Sequence, residues 1–121
     1  MPTNRRNVTS EGLTEAVLTK IKHYEANGFP EAGKIHQLIM DANPGLSPRL
    51  WYGMPGYAKS KDSAVLVFFR KDTFITFGIT ESVDIEILSS DASYLPSSWY
   101  IPKFNQAAEE LISRTVAIAT S

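Results

Sequence analysis

The feature of this sequence that most restricts its fold is a pair of apolar runs, residues 64–71 and 73–79, that lie almost end to end. Their letters are AVLVFFRK and TFITFGI, so β-branched and aromatic residues dominate both runs. Such runs are typical of strands, because these side chains pack well on a pleated surface. Since only a short polar turn around Lys71 and Asp72 separates the runs, the sequence predicts a β-hairpin.

The length of that turn decides which side chains face the core. If Lys71 and Asp72 form a two-residue loop, Phe69 lies beside Phe74 in the hairpin. One face then points to the core, and it carries Ala64, Leu66, Phe68, Ile75, Phe77 and Ile79. The other face is apolar as well, and it carries Val65, Val67, Phe69, Phe74, Thr76 and Gly78. A loop longer by one residue would exchange half of these assignments, and in either register we expect the second face to be covered or to line a pocket.

Apolar residues at three- and four-residue steps predict two helices before this hairpin. We expect Ser10 to cap the first helix, which begins at Glu11 and is closed by Gly28. Pro30 suits the first turn of the second helix, and the Asn-Pro-Gly sequence at residues 43–45 ends it.

The C-terminal region predicts a third long helix. Asn105 is the expected cap, and the apolar face carries Ala108, Leu111, Ile112, Thr115 and Ala119. Glu110 and Arg114 lie one turn apart on the outer side, where we expect an ion pair.

The segments between the helices complete the predicted fold. Around a Met54-Pro55 bend the chain reads LWYGMPGYAKS, which indicates two extended segments, and SSWYIP indicates another short strand. Residues 81–88 fit either a strand or a short helix. The sequence therefore predicts an α+β fold with two N-terminal helices, an antiparallel sheet of four to five short strands and a C-terminal helix. We expect residues 1–9 to be a flexible N-terminus and residues 10–121 to be a single domain.

Composition excludes several classes of function. The chain has 121 residues, of which 43% are hydrophobic and 21% charged, as in an ordinary globular domain. It has no cysteine, which excludes disulfides, thiolate metal sites and thiol catalysis, and which fits a reducing compartment. With a net charge of −1, the chain lacks the excess of basic residues that is typical of a nucleic-acid-binding protein. No window approaches the roughly 20 apolar residues of a membrane span, so we expect a cytoplasmic protein without a membrane partner.

The residues predict no catalytic site. The sequence has neither a G-x-S-x-G nucleophile elbow nor a phosphate-binding glycine-rich loop. His23 and His36 are the only histidines, and they fall on different predicted helices. Their spacing does not suit a metal-ligand pair, so we interpret them as partly exposed structural residues. We expect a protein that is not an enzyme.

Aromatic residues concentrate on or near the predicted sheet. Tyr and Trp combine an apolar ring with a polar group, which suits either the margin of a core or the wall of a pocket. If they form a pocket beside the Gly-Met-Pro bend, we expect its ligand-binding residues to be Trp51, Tyr52, Met54, Pro55, Tyr57, Phe69, Phe77, Tyr94 and Trp99. Ordinary core packing of the same residues is the alternative.

The motif WYGMPGY, the apolar hairpin after it and the stretch from Tyr94 to Ile112 together resemble the YdhG-like family, a family of domains of unknown function. The motif matches the family's aromatic-Gly-Met-Pro-small-aromatic pattern. The later stretch holds the family's Tyr, short strand, Pro and Leu-Ile pair, here Tyr94, WYIP and Leu111-Ile112. The resemblance covers roughly residues 34–118 and implies a frataxin-like α+β fold.

For some members the resemblance also implies a frataxin-like role, in which ferrous iron is carried to iron–sulfur assembly proteins. Frataxin-type sites are acidic surfaces along the first helix, so the candidate iron ligands here are Glu11 and Glu15, which lie one turn apart. Two functions therefore stand side by side. One is a non-catalytic binding protein whose aromatic pocket takes a small ligand or a protein partner. The other is an iron chaperone that binds ferrous iron weakly through surface carboxylates.

Overall fold

The computed structural model describes residues 9–84, 86, 91 and 93–121. Its helices are α1 (Ser10–Ala26), α2 (Ala32–Ala42) and α3 (Gln106–Ala119), and its strands are β1 (Ser47–Trp51), β2 (Met54–Ala58), β3 (Val65–Lys71), β4 (Ile75–Ile79) and β5 (Ser98–Ile101). The predicted fold class is confirmed, since two N-terminal helices precede an antiparallel sheet and a helix follows it. Residues 1–8 of the expected flexible N-terminus, and residues 85, 87 and 88 of the ambiguous segment at 81–88, lie outside the described residues.

The five strands form a simple antiparallel meander in the order β1-β2-β3-β4-β5, so every strand pairs with its neighbour in sequence. The two edge strands carry a proline within or just after them, at Pro48 in β1 and Pro102 after β5. Proline has no backbone N–H to offer, so these edges are poor templates for a further strand. Neither edge of the sheet therefore favours the addition of another strand.

The predicted β3–β4 hairpin is confirmed, but its predicted register is wrong by three residues, because Phe69 lies opposite Phe77 and not opposite Phe74. Lys71 pairs with Ile75 and Phe69 with Phe77, so the loop consists of residues 72–74 rather than of Lys71 and Asp72. Lys71 stays in the strand, where its Nζ donates a 2.8 Å hydrogen bond to a backbone carbonyl of the α1–α2 connection. A long-range contact of this kind is invisible in the local pattern from which the loop was predicted.

The observed register exchanges part of the predicted core face. Val67 and Phe69, assigned to the second face, are fully buried in the core, together with Ile75, Phe77 and Ile79 of β4. Phe68 instead lies on the opposite face across from Gly78, and Ala64 is exposed. The second face is consequently less apolar than the sequence suggested, since Arg70 and Thr76 alternate with Phe68 and Gly78 along the hairpin.

All three described helices contribute to one hydrophobic core against one face of the sheet. Val17 and Ile21 come from α1, and Ile112 and Val116 come from α3. The helix α2 lies between them, contacting both α1 and α3. The sheet side of the same core is aromatic and consists of Tyr57, Phe69, Phe77 and the partly buried Trp99. The opposite face of the sheet receives none of these described helices.

The structure corrects one of the two predicted helix caps and confirms the other. Thr9, not Ser10, is the N-cap of α1, because its Oγ1 accepts a 3.0 Å hydrogen bond from the Gly12 N–H. The predicted cap of α3 is confirmed, since Asn105 Oδ1 accepts a 3.1 Å hydrogen bond from the Ala108 N–H. Both caps satisfy backbone donors that a helix N-terminus leaves unpaired.

Gly78 provides a test of the observed register. A Cβ added there would lie 2.6 Å from Phe68 Cζ and 2.9 Å from the Ser97 carbonyl oxygen. We therefore expect Gly78→Ala to lower the free energy of unfolding by about 1–3 kcal/mol, as overpacking does. Gly45→Ala is the matched control, because its Cβ would meet only Asn43 Oδ1 at an ordinary 3.4 Å. Urea unfolding of both variants measures this difference, and equal stability of the two would contradict the observed pairing of Phe68 with Gly78.

Candidate functional site

The Gly-Met-Pro bend is a two-residue β-hairpin loop between β1 and β2. Trp51 pairs with Met54, and the residues between them, Tyr52 and Gly53, have φ values of 51° and 80°. Positive φ at both positions is the signature of a type I′ turn, whose twist matches that of the flanking strands. Glycine adopts this conformation freely, whereas tyrosine does so at a cost of about 1–2 kcal/mol. The turn therefore holds a strained aromatic residue at its tip.

Tyr52 is also the most exposed residue of the bend, with 84% of its surface open to solvent. Its ring packs edge-on against Trp51, with the ring centroids 4.7 Å apart and an interplanar angle of 77°. Strained backbone that carries an exposed aromatic side chain is a recurrent feature of functional sites. The bend thus presents Tyr52 to solvent.

The sheet divides the predicted pocket residues between its two faces. Tyr57, Phe69, Phe77 and Pro55 are fully buried on the helix side, where the rings of Tyr57 and Phe69 stack at 6.4 Å and 15°. They belong to the core and cannot reach a ligand without unfolding. Tyr94 is 85% exposed in the loop before β5. The nine predicted residues therefore do not line one cavity.

Trp51 and Phe68 form an aromatic layer on the face that the described helices leave free. Their ring centroids lie 5.1 Å apart, with the planes tilted by 36°. The strand residues beside them are glycines, and a Cβ at Gly56 would lie 2.9 Å from Trp51 Cβ. Gly56 and Gly78 thus leave room for large rings to lie against the backbone. Gly56 does not have the positive φ that Gly53 has in the same bend, so it serves packing here rather than backbone freedom.

A cleft begins at this layer, and we call it the Trp51 cleft. It has a volume of about 720 Å³ and lies between the end of β1, the chain that follows β4 and the chain that precedes β5. Its described lining mixes apolar and hydroxyl-bearing residues with one acid, and it consists of Trp51, Ile79, Thr80, Glu81, Ser82, Val83, Leu95, Pro96 and Ser97. Of the nine residues predicted from the sequence, only Trp51 lines it.

One wall of the Trp51 cleft is fixed by Thr80. Its Oγ1 donates a 2.6 Å hydrogen bond to the Val65 carbonyl oxygen and accepts a 3.2 Å hydrogen bond from the Ser82 N–H. Its own N–H donates to the Leu66 carbonyl oxygen at 2.9 Å. These bonds hold the chain after β4 against β3, so the cleft has at least one wall that is formed before any ligand arrives.

A smaller cleft lies on the other side of Leu95 and Pro96 and includes Trp99, the second predicted residue that lines a cavity. Its volume is about 230 Å³. The sequence analysis missed the segments 79–83 and 95–97, which form most of the Trp51 cleft and part of the smaller cleft. The sequence signal for these walls was the pair Leu95 and Pro96, which are apolar residues in an otherwise polar loop.

His36 and Tyr57 form a polar contact at the margin of the core. His36 Nδ1 and the Tyr57 hydroxyl share a 2.7 Å hydrogen bond. Burial raises the pKa of Tyr57 well above its ordinary value, so the hydroxyl keeps its proton. Burial also lowers the pKa of His36, because a charged imidazolium would be poorly solvated there. This contact stabilises the fold and does not take part in either cleft.

The His36 contact predicts how stability depends on pH. Since the folded-state pKa of His36 lies below its ordinary 6.5, the unfolded chain binds the proton first as pH falls. The contribution of His36 to the free energy of unfolding is complete above pH 6.5. It is lost as the pH falls through the lower pKa of the folded state. We expect the free energy of unfolding of His36→Gln to fall less than that of the parent between about pH 7.5 and pH 5.

Urea unfolding at a series of pH values measures that difference, with His23→Gln as the control. His23 is exposed, and its Nδ1 lies 3.4 Å from the Asn27 side-chain nitrogen. An identical pH slope for the parent and His36→Gln would contradict the assignment.

The two candidate iron ligands are brought together, but without further ligands. Glu11 and Glu15 line one shallow depression with Ser10 and Thr14 on the first turns of α1, and both carboxylates are exposed. Within the described ranges, no group of three or more His, Cys, Asp or Glu side chains lies close enough to hold a metal ion. A hard cation normally takes six or more oxygen ligands, so two carboxylates would leave most positions to water.

Comparison with other proteins adds no further assignment. No protein-family model matches the chain, and neither the curated proteins nor the solved structures contain a significant match. Among the helices that the structure describes, none has the length and apolar character needed to cross a bilayer.

Proposed function

We propose that this protein is a non-catalytic, cytoplasmic binding protein of the YdhG-like type that takes a small, partly apolar ligand in the Trp51 cleft. The observation that carries the proposal is the cleft of about 720 Å³ beside the bend. Ligand sites typically measure about 300–1,000 Å³ and combine apolar walls with a few polar groups. The cytoplasmic setting is supported by the absence of cysteine from the sequence.

The lining of the Trp51 cleft favours binding over chemistry. Trp51, Val83 and Leu95 supply apolar surface, while Ser82 and Ser97 supply hydroxyl groups that fix orientation. The one ionisable side chain among its described lining residues is that of Glu81. A serine nucleophile needs an adjacent base, and neither histidine belongs to the lining.

Tyr52 supports the same location for the site. The hairpin tip holds its ring against Trp51, which lines the cleft, at the cost of a positive φ. A tyrosine exposed to 84% gains little from that position in the free protein. Contact with a bound ligand would provide the missing stabilisation, since aromatic pairs contribute about 0.5–1.5 kcal/mol beyond the area that they bury.

Amide NMR with a library of small neutral aromatic compounds tests the proposal. We expect chemical-shift changes to concentrate at residues 79–83 and at Leu95 and Ser97, with the Trp51 indole N–H included. Ser82→Trp should weaken the best compound at least about tenfold, because the indole would occupy the cleft. Ser82 is exposed, so the substitution leaves the core intact.

Thr19→Trp is the control for that substitution. It adds comparable bulk at an exposed position on α1, away from the cleft, and should leave the affinity unchanged. Compounds that bind elsewhere, or that bind Ser82→Trp as tightly as the parent, would contradict the proposal.

Iron carriage is the second candidate function, supported by the resemblance to the YdhG-like family and by the shared depression of Glu11 and Glu15. Ferrous iron added without oxygen should broaden the amide signals of residues 10–15 selectively. The double substitution Glu11→Gln and Glu15→Gln should abolish that broadening, whereas Glu109→Gln with Glu110→Gln on α3 should preserve it. No selective broadening at millimolar iron would exclude this role, as would equal broadening in both double variants.

A further inference from the structure

The smaller cleft, which we call the α3 cleft, has a chemical character of its own. It is lined by Ile79, Leu95, Pro96, Trp99, Arg114, Thr115 and Ile118, and it runs along α3 where that helix passes the end of the sheet. Most of these side chains are apolar, and Arg114 is the one charged residue among them. Ile118 is 40% exposed, so a large aliphatic side chain faces water at the rim.

The apolar floor of the α3 cleft is held in place by the core. The Trp99 indole stacks on Phe77, with the ring centroids 6.0 Å apart and the planes inclined by 22°. Phe77 is fully buried and Trp99 only partly, so one face of the indole rests on the core. A rigid aromatic surface of this kind suits a flat or compact apolar group.

Arg114 has no carboxylate partner. The ion pair with Glu110 expected from the sequence is not formed, and the salt bridges of the described residues are Lys61–Asp62 and Arg70–Asp72. The positions outside the described residues hold no acidic side chain. The guanidinium group therefore stands beside an apolar cleft without a carboxylate to neutralise its charge. Its planar set of N–H groups matches a carboxylate in a two-bond arrangement.

We propose that the α3 cleft binds a small carboxylate with an aromatic or branched apolar body. The body lies on Trp99 between Leu95 and Ile118, the carboxylate accepts hydrogen bonds from Arg114, and the Thr115 hydroxyl lies within the same lining. The volume of about 230 Å³ is below that of drug-sized sites, so the ligand is small. The apolar walls favour a carboxylate that is attached to a hydrocarbon body over a free phosphate, because a phosphate ion has no apolar surface.

This site goes beyond the proposed function and does not depend on it. The two clefts share Ile79, Leu95 and Pro96 as a common wall, but Trp51 belongs to one and Trp99 and Arg114 belong to the other. A compound in the Trp51 cleft is reported by the Trp51 indole N–H, and one in the α3 cleft by the Trp99 indole N–H. If ligand binding at one cleft is disproved, the proposal for the other cleft is unaffected.

Benzoate and cyclohexanecarboxylate are the probes for the α3 cleft, and benzamide is the uncharged comparison. Titrated into the full chain in low-salt buffer, both carboxylates should shift the Trp99 indole N–H and the Thr115 amide signal. Benzamide should bind about tenfold more weakly or worse, because it lacks the charge that Arg114 recognises. Equal affinity for benzoate and benzamide, or no shift at millimolar benzoate, would overturn the inference.

Substitutions on α3 test whether Arg114 binds the carboxylate group of the ligand. Arg114→Gln should lose at least about tenfold in benzoate affinity, and Arg114→Lys should retain part of it, because lysine keeps the charge but not the planar donor set. Lys34→Gln, which removes one positive charge from an exposed position of α2, is the matched control and should bind as the parent does. Unchanged affinity in Arg114→Gln would overturn the inference.

Ile118→Glu provides an independent check. It places a carboxylate one turn after Arg114, where it can pair with the guanidinium group and compete with the ligand. Residue 118 is partly exposed, so the fold tolerates the change, and the dispersion of the amide spectrum verifies this. We expect benzoate binding to be lost in Ile118→Glu, and binding equal to that of the parent would contradict the assigned position of the carboxylate.

Discussion

The pairing of Phe69 with Phe77 across β3 and β4 is the constraint on which the rest of the structure depends. It places both rings on the helix side, where Phe69 stacks with Tyr57 and meets Phe29 edge-on at 6.0 Å. Because side chains alternate along a strand, the same pairing sends Phe68 to the opposite face, against Gly78. One register therefore fills the core and also builds the aromatic layer from which the Trp51 cleft extends.

Much of the fold was predictable because its elements carry local signals. The periodicity of α1, the cap at Asn105 and the apolar runs of β3 and β4 each follow from neighbouring residues, and each is confirmed apart from small boundary shifts. The register was not predictable in this way. Lys71 lies in the strand and its side chain donates a hydrogen bond to a residue 43 positions away in sequence, and no local pattern reports such a contact.

The candidate site was less predictable than the fold, for a similar reason. Tyr57 and Tyr52 are five residues apart in one motif, yet one is fully buried and the other is exposed to 84%. Aromatic residues in strands serve core and surface alike, and only the sheet register separates the two roles. Trp51 was predicted because it belongs to the motif. The segments that complete its cleft come from distant parts of the chain, and Leu95 and Pro96 are also the wall that separates it from the α3 cleft.

The central claim is that a preformed cleft beside Trp51 receives a small ligand. A crystal structure of the full chain, soaked with mixtures of small neutral aromatic compounds, tests it most directly. The account predicts electron density for a compound between the Trp51 ring and the Leu95–Ser97 segment, with the Thr80 hydrogen bonds to Val65 and Ser82 unchanged. A cleft filled by the protein's own side chains, with compounds bound only elsewhere on the surface, would contradict it.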